Sequence, residues 1–518
     1  MHIAHLVHRS AQRFPEQPLW LSLDHAISYR EGAERLNKLA NSLLELGKQG
    51  DRVAILSTNR FEGYEAYLSA MNAGMAAVPL NPKSHPTDHA FVINDSGARF
   101  VVYSPEYADV LHSIKEQLDG VTHWIAIDGG GDGILAYEAL VQRGDDALPD
   151  IIIEPDSLAW LFYTSGTTGK PKGAMETHRN LLTMVQQFRQ TLLSDTGESD
   201  VMLHLAPIAH GTASVGLAHL SVGAAQAFPL TASFDAEKVF EVVERLKVTS
   251  SFLAPTMVQM LLQSQTNRFY DLSSLKNVIY GGGPMYVEVL KHAISTFGPV
   301  FSQIYGQGEA PMTCAGLHKS EHRLDDPAAL RRLGSAGREM PGVMVRIVDA
   351  DGKAVATHVQ GEIAVRSDLV MSGYWNQPDV TAETLRNGWL HTGDVGYLDE
   401  AGYLFITDRI KDMIISGGAN IYPREIEEVL LQHPSVAETS VIGVPDDQWG
   451  ESVKAIVVLR SGHSAGAEDL IAFCKERMAS YKKPKSIEFI DELPKSAFGK
   501  VLKRELRSQY WDRTDRKV

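Results

Sequence analysis

The sequence contains little cysteine and no long apolar run. Its 518 residues include two cysteines, Cys314 and Cys474, which lie far apart and form no Cys-x-x-Cys pattern. This excludes a disulfide-built mini-domain and fits a reducing cytoplasm. No window approaches the roughly 18 apolar residues of a membrane-spanning helix, so no membrane span is expected. The stretch from Met1 to Phe14 lacks the apolar core and cleavage site of a signal peptide.

The sequence also has fewer basic than acidic residues. Lysine and arginine number 49 against 64 aspartate and glutamate residues, which gives a formal net charge of −15. A chain this acidic is a poor candidate for general binding to nucleic acid or anionic membranes. The hydrophobic share of 44% and the charged share of 22% are typical of a globular protein with an ample core, which excludes a disordered or fibrous chain. At roughly 150 residues per domain, the length predicts three or four structural units.

Short apolar runs alternate with helical patterns over most of the chain. Val53–Ser57 is predicted to be a buried strand, and Tyr64–Ala73 then has helical spacing. Asp235–Leu246 is predicted to be a helix, because its apolar residues form one stripe. Strands are also predicted at Phe100–Tyr103, Trp124–Asp128, Ser250–Ala254 and Asn277–Tyr280. The alternation favours an α/β fold with layers of largely parallel sheet.

The pattern changes after about Gly334. Short predicted strands, broken by glycine, proline and aspartate, then indicate a β-rich subdomain; they are Val343–Asp349, Gly361–Arg366 and Tyr403–Thr407. From about Asn420 a smaller alternation returns, which predicts a compact α+β unit. Its predicted elements are the helices Pro423–Leu431 and Ala467–Met478 and the strands Thr439–Val444 and Lys454–Leu459.

The stretch Tyr163–Gly173, with the sequence YTSGTTGKPKG, carries the strongest chemical signal. Three glycines let backbone N–H groups converge on an anion, four hydroxyls can complete a phosphate shell, and two lysines balance its charge. A Walker A loop is excluded, because the glycine spacing is too short and Pro171 follows the lysine. The alternative is a polar surface turn. The residues predicted to bind phosphate are Thr164, Ser165, Gly166, Thr167, Thr168, Gly169, Lys170 and Lys172.

This stretch resembles the signature phosphate loop of the acyl- and aryl-CoA synthetases of the adenylate-forming superfamily. Further segments resemble the same family in the same order along the chain; they are Tyr305–Glu309, Trp389–Asp394, Asp408–Asp412, Gly417–Ile426 and Pro494–Lys500. The resemblance implies a large N-terminal domain of αβ layers with a small β-rich subdomain, residues 1–410. It also implies a compact, mobile α+β C-terminal domain, residues 411–518, with the hinge at Lys411.

The resemblance also implies a site for ATP and Mg²⁺. Glu309 and Thr168 are the expected metal contacts, and Tyr305 offers a flat face to adenine, although core packing is an equal alternative. Asp394 is expected to accept the ribose hydroxyls, with Arg409 as a planar donor nearby; a turn-capping role is the alternative for Asp394. Further expected ATP contacts are Gly282, Gly283, Gly306 and Gly308. Gly308 departs from the family, which normally has threonine there.

The acyl pocket implied by the resemblance begins at His210, which is expected to face the reacting carboxylate. A lone histidine is more often structural, and no other histidine shares metal-ligand spacing with it. The other expected pocket residues are Gly211, Ser214, Tyr280 and Gly281. Small residues are frequent around Gly211–Ala218, which suggests space for a bulky or elongated acyl group.

The C-terminal part carries the remaining expected residues. Lys500, in the segment Pro494–Lys500, is expected to bridge the substrate carboxylate and the α-phosphate. The expected CoA contacts are Gly417, Gly418, Tyr481, Lys483 and Lys485, which combine backbone space, an aromatic face and cations. A solvated basic turn is the alternative for the last three.

These residues predict an ATP-dependent carboxylic acid–CoA ligase, with Lys500, His210 and Glu309 as catalytic residues and ATP, Mg²⁺ and CoA as its small molecules. The acid is expected to be fatty, alicyclic or aromatic. Three alternatives stay open: transfer to a separate carrier protein, a luciferase-type monooxygenase, and a non-enzymatic nucleotide-binding protein. No nucleic-acid partner is expected, the location is expected to be cytoplasmic, and a homodimer is compatible with the sequence.

Overall fold

The computed structural model describes residues 2–165, 170–231, 234–264, 266–495 and 501–511. The helices, in chain order, are α1 His5–Arg13, α2 Tyr29–Leu46, α3 Phe61–Asn72, α4 Pro86–Ser96, α5 Ala108–Ile114, α6 Tyr137–Arg143, α7 His178–Gln190, α8 Gly211–Leu220, α9 Ala236–Leu246, α10 Pro255–Gln263, α11 Val287–Phe297, α12 Pro327–Arg332, α13 Pro378–Thr384, α14 Pro423–Leu430, α15 Ala467–Lys475 and α16 Lys503–Trp511. Short 3₁₀ turns lie at Pro105–Tyr107, Lys115–Gln117, Asn267–Phe269, Lys319–Glu321 and Ile410–Asp412.

The strands, in chain order, are β1 Pro18–Leu21, β2 Ala26–Ser28, β3 Arg52–Leu56, β4 Ala76–Pro79, β5 Phe100–Tyr103, β6 His123–Ala126, β7 Ile134–Ala136, β8 Leu158–Ser165, β9 Pro171–Thr177, β10 Val201–Leu203, β11 Ala225–Ala227, β12 Ser250–Leu253, β13 Asn277–Tyr280, β14 Phe301–Gln307, β15 Ala310–Leu317, β16 Arg338–Glu339, β17 Met344–Val348, β18 Gly361–Arg366, β19 Leu385–Arg386, β20 Trp389–Leu398, β21 Leu404–Arg409, β22 Ile414–Ser416, β23 Ala419–Ile421, β24 Val436–Asp446, β25 Gly450–Leu459 and β26 Ser486–Phe489.

Two large sheets form the first 340 or so residues. The seven-stranded sheet has the order β7-β6-β5-β3-β4-β8-β9 and is parallel except for the antiparallel pair β8–β9. The nine-stranded sheet has the order β16-β15-β14-β13-β12-β10-β11-β1-β2, with a parallel centre and antiparallel edges. The largest apolar core joins buried residues of both sheets, among them Val53 and Ile279. The predicted α/β layers are confirmed.

The predicted β-rich subdomain is also present. Strands β17, β18, β20 and β19 form an antiparallel sheet in that order, and β21 pairs with β20. The C-terminal part has a separate sheet of order β23-β22-β25-β24, with β26 beside β25. Its core is built around Ile414, Ile426 and Leu430 and is distinct from the large core. The compact α+β unit is therefore confirmed, whereas a domain boundary at residues 410 and 411 stays a prediction.

Local sequence explains where several helices begin. The side chain of Asp235 accepts hydrogen bonds from the backbone N–H groups of Glu237 and Lys238, so Asp235 caps α9, which starts one residue later than predicted. Thr177 and Asn180 form a reciprocal cap at the start of α7. This cap ends β9 and turns the chain into the helix that follows the phosphate-loop region. Within the described ranges, no helix combines the length and apolar character needed to cross a membrane.

Candidate active site

Glu309 lies in the turn that joins β14 to β15, and its side chain is held in place by two hydroxyls. Its carboxylate oxygen Oε1 accepts hydrogen bonds from Thr164 Oγ1 at 3.1 Å and from Tyr374 Oη at 2.7 Å. Its backbone carbonyl accepts from the N–H of Met371 at 2.9 Å. Glu309 is only 7% exposed. The carboxylate is therefore fixed beside the end of β8, where the predicted phosphate loop begins.

Tyr374 is a site residue that the sequence did not predict. The segment around it adds to the free edge of β9, because Met175 N–H donates to the Gly373 carbonyl and Ser372 N–H donates to the Met175 carbonyl, both at 2.9 Å. The Lys172 ammonium lies 5.3 Å from the centre of the Tyr374 ring. Since Tyr374 is 65 residues from Glu309 in sequence and belongs to no recognised motif, only the tertiary structure reveals it.

Asp394 forms a second fixed carboxylate. Tyr305 Oη donates to Asp394 Oδ2 at 2.7 Å, and Arg409 Nε lies 3.2 Å from Oδ1. Strands β20 and β21 bring this about, because Asp394 and Arg409 are direct partners in their ladder. Asp394 is 7% exposed. The structure thus joins three of the predicted nucleotide contacts in one cluster.

The packing of Tyr305 bears on its predicted role. Its ring belongs to the large apolar core, and burial raises the pKa of its hydroxyl well above the ordinary value. Core packing and positioning of Asp394 are therefore established roles of this side chain. Stacking against adenine stays a prediction.

The unusual glycine at position 308 has a steric reason. A Cβ atom there would lie 2.3 Å from the Thr164 methyl carbon and 2.7 Å from the Phe162 ring. Contacts under 3 Å force neighbours to move, so the turn approaches β8 more closely than a threonine would allow. The hydroxyl that the family has at position 308 is thus absent here, whereas the Thr164 hydroxyl contacts Glu309.

His210 is the N-cap residue of α8, and the Phe162 ring meets it edge-on with centroids 5.4 Å apart. Burial lowers the pKa of His210 to about 3. The imidazole is therefore neutral at physiological pH and can shape a pocket or accept and donate hydrogen bonds without carrying charge. Its place on the same side of β8 as Phe162 is consistent with the predicted acyl-pocket role, which stays a prediction.

The small residues of α8 serve close packing. A Cβ atom at Gly211 would lie 2.7 Å from the Met312 Cε atom, and one at Gly216 would lie 2.7 Å from His204 Cε1. Ser214 is buried as well. Packing therefore requires glycine at these two positions, and room for a large acyl group stays a prediction.

The two other predicted pocket residues come from the strand β13 and the loop after it. The Tyr280 side chain is fully buried, and its hydroxyl lies within hydrogen-bond distance of Gln303 and His322. A Cβ atom at Gly281 would contact Ile304 at 2.6 Å. Gly282 and Gly283 follow in the same loop with more open surroundings. The pocket role of Tyr280 and Gly281 and the ATP contacts of Gly282 and Gly283 stay predictions.

Glu176 is a second buried carboxyl group near Glu309 that the sequence did not predict. It pairs with Trp160 in the β8–β9 ladder, which places it on the same face as Phe162. Burial, and secondarily the charge of Glu309, raise the pKa of Glu176 well above its ordinary value. Burial therefore favours the protonated form of this side chain.

The predicted CoA contacts lie on the C-terminal unit. Tyr481 is 56% exposed, and Lys483 and Lys485 belong to the same turn between α15 and β26. Trp449, which the sequence did not predict, is 44% exposed, and the Lys485 ammonium lies 5.2 Å from its ring centre. We call Trp449, Tyr481, Lys483 and Lys485 the aromatic–cation surface.

The aromatic–cation surface continues to the glycine pair between β22 and β23. Gly417 and Gly418 have φ angles of 58° and 80°, a conformation that glycine adopts without strain. A Cβ atom at Gly417 would lie 2.6 Å from the Trp449 ring. Gly417 therefore allows the chain to pass directly over this indole.

Five predicted residues, Gly166, Thr167, Thr168, Gly169 and Lys500, lie outside the described ranges. The strand that leads into the loop is anchored, because Tyr163 Oη donates to Asp95 Oδ2 at 2.6 Å. After the loop, the Lys170 ammonium lies 5.8 Å from the centre of the Phe91 ring.

The donor set around Glu309 fits Mg²⁺. A buried carboxylate and the hydroxyls of Thr164 and Tyr374 are hard oxygen donors, and Mg²⁺ is usually held by one or two carboxylates together with substrate phosphates. Among the described residues, no cluster of three or more histidine, cysteine, aspartate or glutamate side chains could hold a metal by itself. A zinc-type site built from protein ligands alone is accordingly not found in this part of the chain.

Comparison with known families agrees with this geometry. The family model "AMP-binding enzyme" matches residues 7–375, and the model "AMP-binding enzyme C-terminal domain" matches residues 425–500. The chain belongs to this family of adenylate-forming enzymes.

Curated relatives match over nearly the whole chain. Medium/long-chain-fatty-acid–CoA ligase FadD8 of Mycobacterium tuberculosis is 34% identical, covering 100% of this chain and 91% of that protein. Feruloyl-CoA synthase of Amycolatopsis sp is 37% identical, covering 94% of each chain. Fatty acid–[acyl-carrier-protein] ligase ScoC of Streptomyces coeruleorubidus is 33% identical, covering 98% and 96%. Together with the family, these relatives confirm the predicted enzyme class, an AMP-forming acyl-CoA synthetase.

A solved structure shares the whole fold. The anthranilate CoA ligase AuaEII in complex with anthranoyl-AMP superposes with a TM-score of 0.90 and 26% identity, covering 98% of this chain and 97% of that one. The agreement extends over both the large and the C-terminal parts.

Proposed function

We propose that this enzyme activates a carboxylic acid with ATP and Mg²⁺ and transfers the acyl group to CoA. The observation that carries the proposal is that two buried carboxylates, Asp394 and Glu309, lie at opposite ends of the segment Tyr305–Glu309. Tyr305 positions Asp394, and Glu309, four residues later, is held by Thr164 and Tyr374. This arrangement can bind a nucleotide by its ribose at one end and its phosphates at the other.

In the first step, an oxygen of the acid attacks the α-phosphorus of ATP, the bond to the β-phosphate oxygen breaks, and pyrophosphate leaves. Positioning and charge neutralisation must supply most of the catalysis, because a carboxylate is a weak nucleophile. Glu309, with the Thr164 and Tyr374 hydroxyls, would hold Mg²⁺, which would supply positive charge to the phosphate oxygens. Lys170, Lys172 and Lys500 add positive charge from the chain, and the neutral His210 borders the acid.

In the second step, the CoA thiol attacks the acyl carbon of the acyl-adenylate, AMP leaves with the bonding electron pair, and the thiol proton passes to solvent. The aromatic–cation surface provides rings and ammonium groups for a nucleotide that carries several phosphates. Gly417 and Gly418 would border the pantetheine arm. Since this surface belongs to the C-terminal unit, we propose that the unit turns about Lys411 between the two steps.

The acid is proposed to be fatty or aromatic, with an alicyclic acid as a third class. Relatives that act on medium- or long-chain fatty acids and on ferulate support the first two classes. The neutral His210 and the ring of Phe162 offer an uncharged surface to such a group. The enzyme is proposed to work in the cytoplasm, and light scattering would decide whether it is a homodimer.

The decisive experiment is a pyrophosphate-release screen of carboxylic acids, run without acceptor, with CoA, and with a phosphopantetheinylated carrier protein. We expect one acid class to release pyrophosphate in all three conditions and to yield a thioester with CoA. A thioester formed only on the carrier would instead favour the activity named for ScoC. The absence of pyrophosphate release with every fatty, alicyclic and aromatic acid would overturn the proposed function.

A further inference from the structure

Helix α14 of the C-terminal unit makes a polar contact with the start of α11 in the large domain. Tyr286 Oη donates to Glu427 Oε2 at 3.2 Å. The Tyr286 ring packs against the C-terminal core around Ile426. Although it belongs to the large domain by sequence, Tyr286 thus reaches across the interface.

The acceptor of this contact is fixed from its own side. Glu427 Oε1 accepts from the Val441 N–H at 2.8 Å and pairs with the Lys503 ammonium at 2.9 Å. Glu427 is 3% exposed. The C-terminal unit therefore holds this carboxylate so that its second oxygen, Oε2, meets Tyr286. A group positioned in advance loses little freedom when the contact forms.

A second contact of α14 crosses the predicted hinge. The Arg424 backbone N–H donates to Asp408 Oδ2 at 3.2 Å, and the Arg424 guanidinium donates to the Ile406 carbonyl at 3.0 Å. Asp408 and Arg424 lie on opposite sides of Lys411 in sequence. A large rotation about Lys411 would move the two groups apart, and it would also separate Tyr286 from Glu427.

The hinge itself is tied to the last described helix. Arg507 donates to the Lys411 carbonyl at 3.0 Å and to Asp412 Oδ1 at 2.6 Å. Because Arg507 and Lys503 both belong to α16, one helix supports both the hinge and the Glu427 carboxylate. The contact at Tyr286 and the backbone at Lys411 are therefore parts of one connected polar network.

We propose that Tyr286 and Glu427 form an interdomain latch, which stabilises the described orientation of the C-terminal unit and releases when the enzyme changes from one half-reaction to the other. Tyr286 ends the loop that contains Gly282 and Gly283. The latch therefore links these two expected ATP contacts to the orientation of the C-terminal unit. Tyr286 and Glu427 are both positioning residues. The inference rests on the proposed two-step function, which requires two orientations.

The test is Tyr286→Phe, which keeps the ring packing and the Val441 and Lys503 contacts of Glu427 but removes the donor. An ordinary hydrogen bond shifts a two-state equilibrium by roughly two- to twelvefold. We expect the ratio of the two half-reaction rates, pyrophosphate release and thioester formation from supplied acyl-adenylate, to change by that factor. The matched control is Tyr510→Phe, because Tyr510 donates to Glu488 entirely within the C-terminal unit; its ratio should stay unchanged.

A readout independent of catalysis accompanies the kinetics. Dyes on Glu116→Cys and Glu468→Cys, both exposed and on opposite sides of the interface, report the domain orientation by energy transfer, and the native cysteines are buried. Tyr286→Phe should broaden or shift the distance distribution. Glu427→Gln leaves one oxygen for two acceptor positions and removes the charge beside Lys503, so it should change the distribution at least as much as Tyr286→Phe does.

Two results would overturn the latch: an unchanged distance distribution in Tyr286→Phe, or an equal change in both half-reactions. The energy-transfer measurement stays informative if the wild-type enzyme releases no pyrophosphate with any acid. Failure of the latch and failure of the proposed function can therefore be distinguished.

Discussion

The carboxylate site of the large domain and the aromatic–cation surface of the C-terminal unit differ in how far their side chains are exposed to solvent. Glu309 and Asp394 are almost fully buried and each is held by a tyrosine hydroxyl. Tyr481 and Trp449 are about half exposed, and the Lys485 ammonium lies over an indole ring at the surface. The first site is arranged before a ligand arrives, whereas the second can bind and release a ligand from solvent.

This difference has an energetic meaning. In a buried site, each preorganised hydrogen bond or charge is poorly screened, so the loss of one donor has a large effect. At an exposed surface, the individual contacts are weak and depend on ionic strength. Substitutions in the two regions should therefore differ both in magnitude and in their response to salt.

The largest effect is expected for Lys500→Ala. Loss of a preorganised charge contact should raise the barrier of the first step by roughly 3–4 kcal/mol, which is about 10²- to 10³-fold in pyrophosphate release. Thioester formation from a supplied acyl-adenylate should be spared, since the cation is needed in one step only. Single-turnover assays of each half-reaction would measure this. The control is Lys495→Ala, which removes an ion pair with Glu438 in the same region. Equal losses in both half-reactions would contradict the two-orientation scheme.

The next effect is expected for Tyr374→Phe, which removes one of the two hydroxyls on Glu309. A hydrogen bond to a charged group contributes roughly 1.5–3 kcal/mol. Pyrophosphate release should fall about tenfold or more, and the Mg²⁺ concentration needed for half-maximal rate should rise. A Mg²⁺ titration of the variant would show both changes. Tyr403→Phe, which removes a hydroxyl contact with Glu321 elsewhere, is the matched control. An unaltered Mg²⁺ dependence would separate Tyr374 from the metal site.

A smaller, salt-dependent effect is expected for the double charge reversal Lys483→Glu/Lys485→Glu. The Michaelis constant for CoA should rise roughly tenfold at low salt, because two exposed attractions become repulsions. The effect should shrink near 0.15 M salt, where the screening length is about 8 Å. Pyrophosphate release without CoA should stay nearly intact.

The control for the charge reversal is the same change at Lys238 and Lys247, exposed residues of the large domain. CoA kinetics that are identical to wild type at low salt would remove the aromatic–cation surface from the CoA site. They would also make a carrier protein the better acceptor.

The smallest effect is expected for His210→Ala and appears as a pH dependence. The folded-state pKa of His210 is about 3, whereas an unfolded histidine titrates near 6.5. Below pH 6.5 the unfolded state takes up a proton that the folded state refuses, so wild-type stability falls as the pH drops from 6.5 toward 3. The variant has no imidazole at position 210, so it does not lose stability in this way. Its stability relative to wild type should therefore improve by about 1–2 kcal/mol between pH 7 and pH 5.

Urea unfolding at the two pH values measures this difference, with the exposed His112→Ala as the control that should show none. A constant difference between wild type and His210→Ala at both pH values would mean that His210 is protonated in the folded enzyme. Pyrophosphate release by His210→Ala, measured in parallel, should fall with every accepted acid if the side chain borders the acyl pocket.

The alternation of strand and helix patterns in the sequence determined the α/β class and the compact C-terminal unit, and the motifs indicated most of the candidate residues. These features are local: a run of glycines and hydroxyls, a Thr-Gly-Asp turn, or strand and helix periods can be read within a few residues. The family resemblance of their motifs indicated Glu309, Asp394 and Arg409 as candidates, and the structure brings Asp394 and Arg409 together as direct strand partners.

Only the tertiary structure decided what surrounds these residues. Tyr374 reaches Glu309 because a distant segment adds to the edge of β9, and Trp449 lies beside Lys485 because β25 runs alongside β26. The steric reason for the glycines at positions 308, 211 and 216 could not be found from the sequence, since their neighbours come from other strands and helices. The latch between Tyr286 and Glu427 joins residues 141 positions apart. Contacts of this kind depend on how whole elements pack, and no local pattern encodes them.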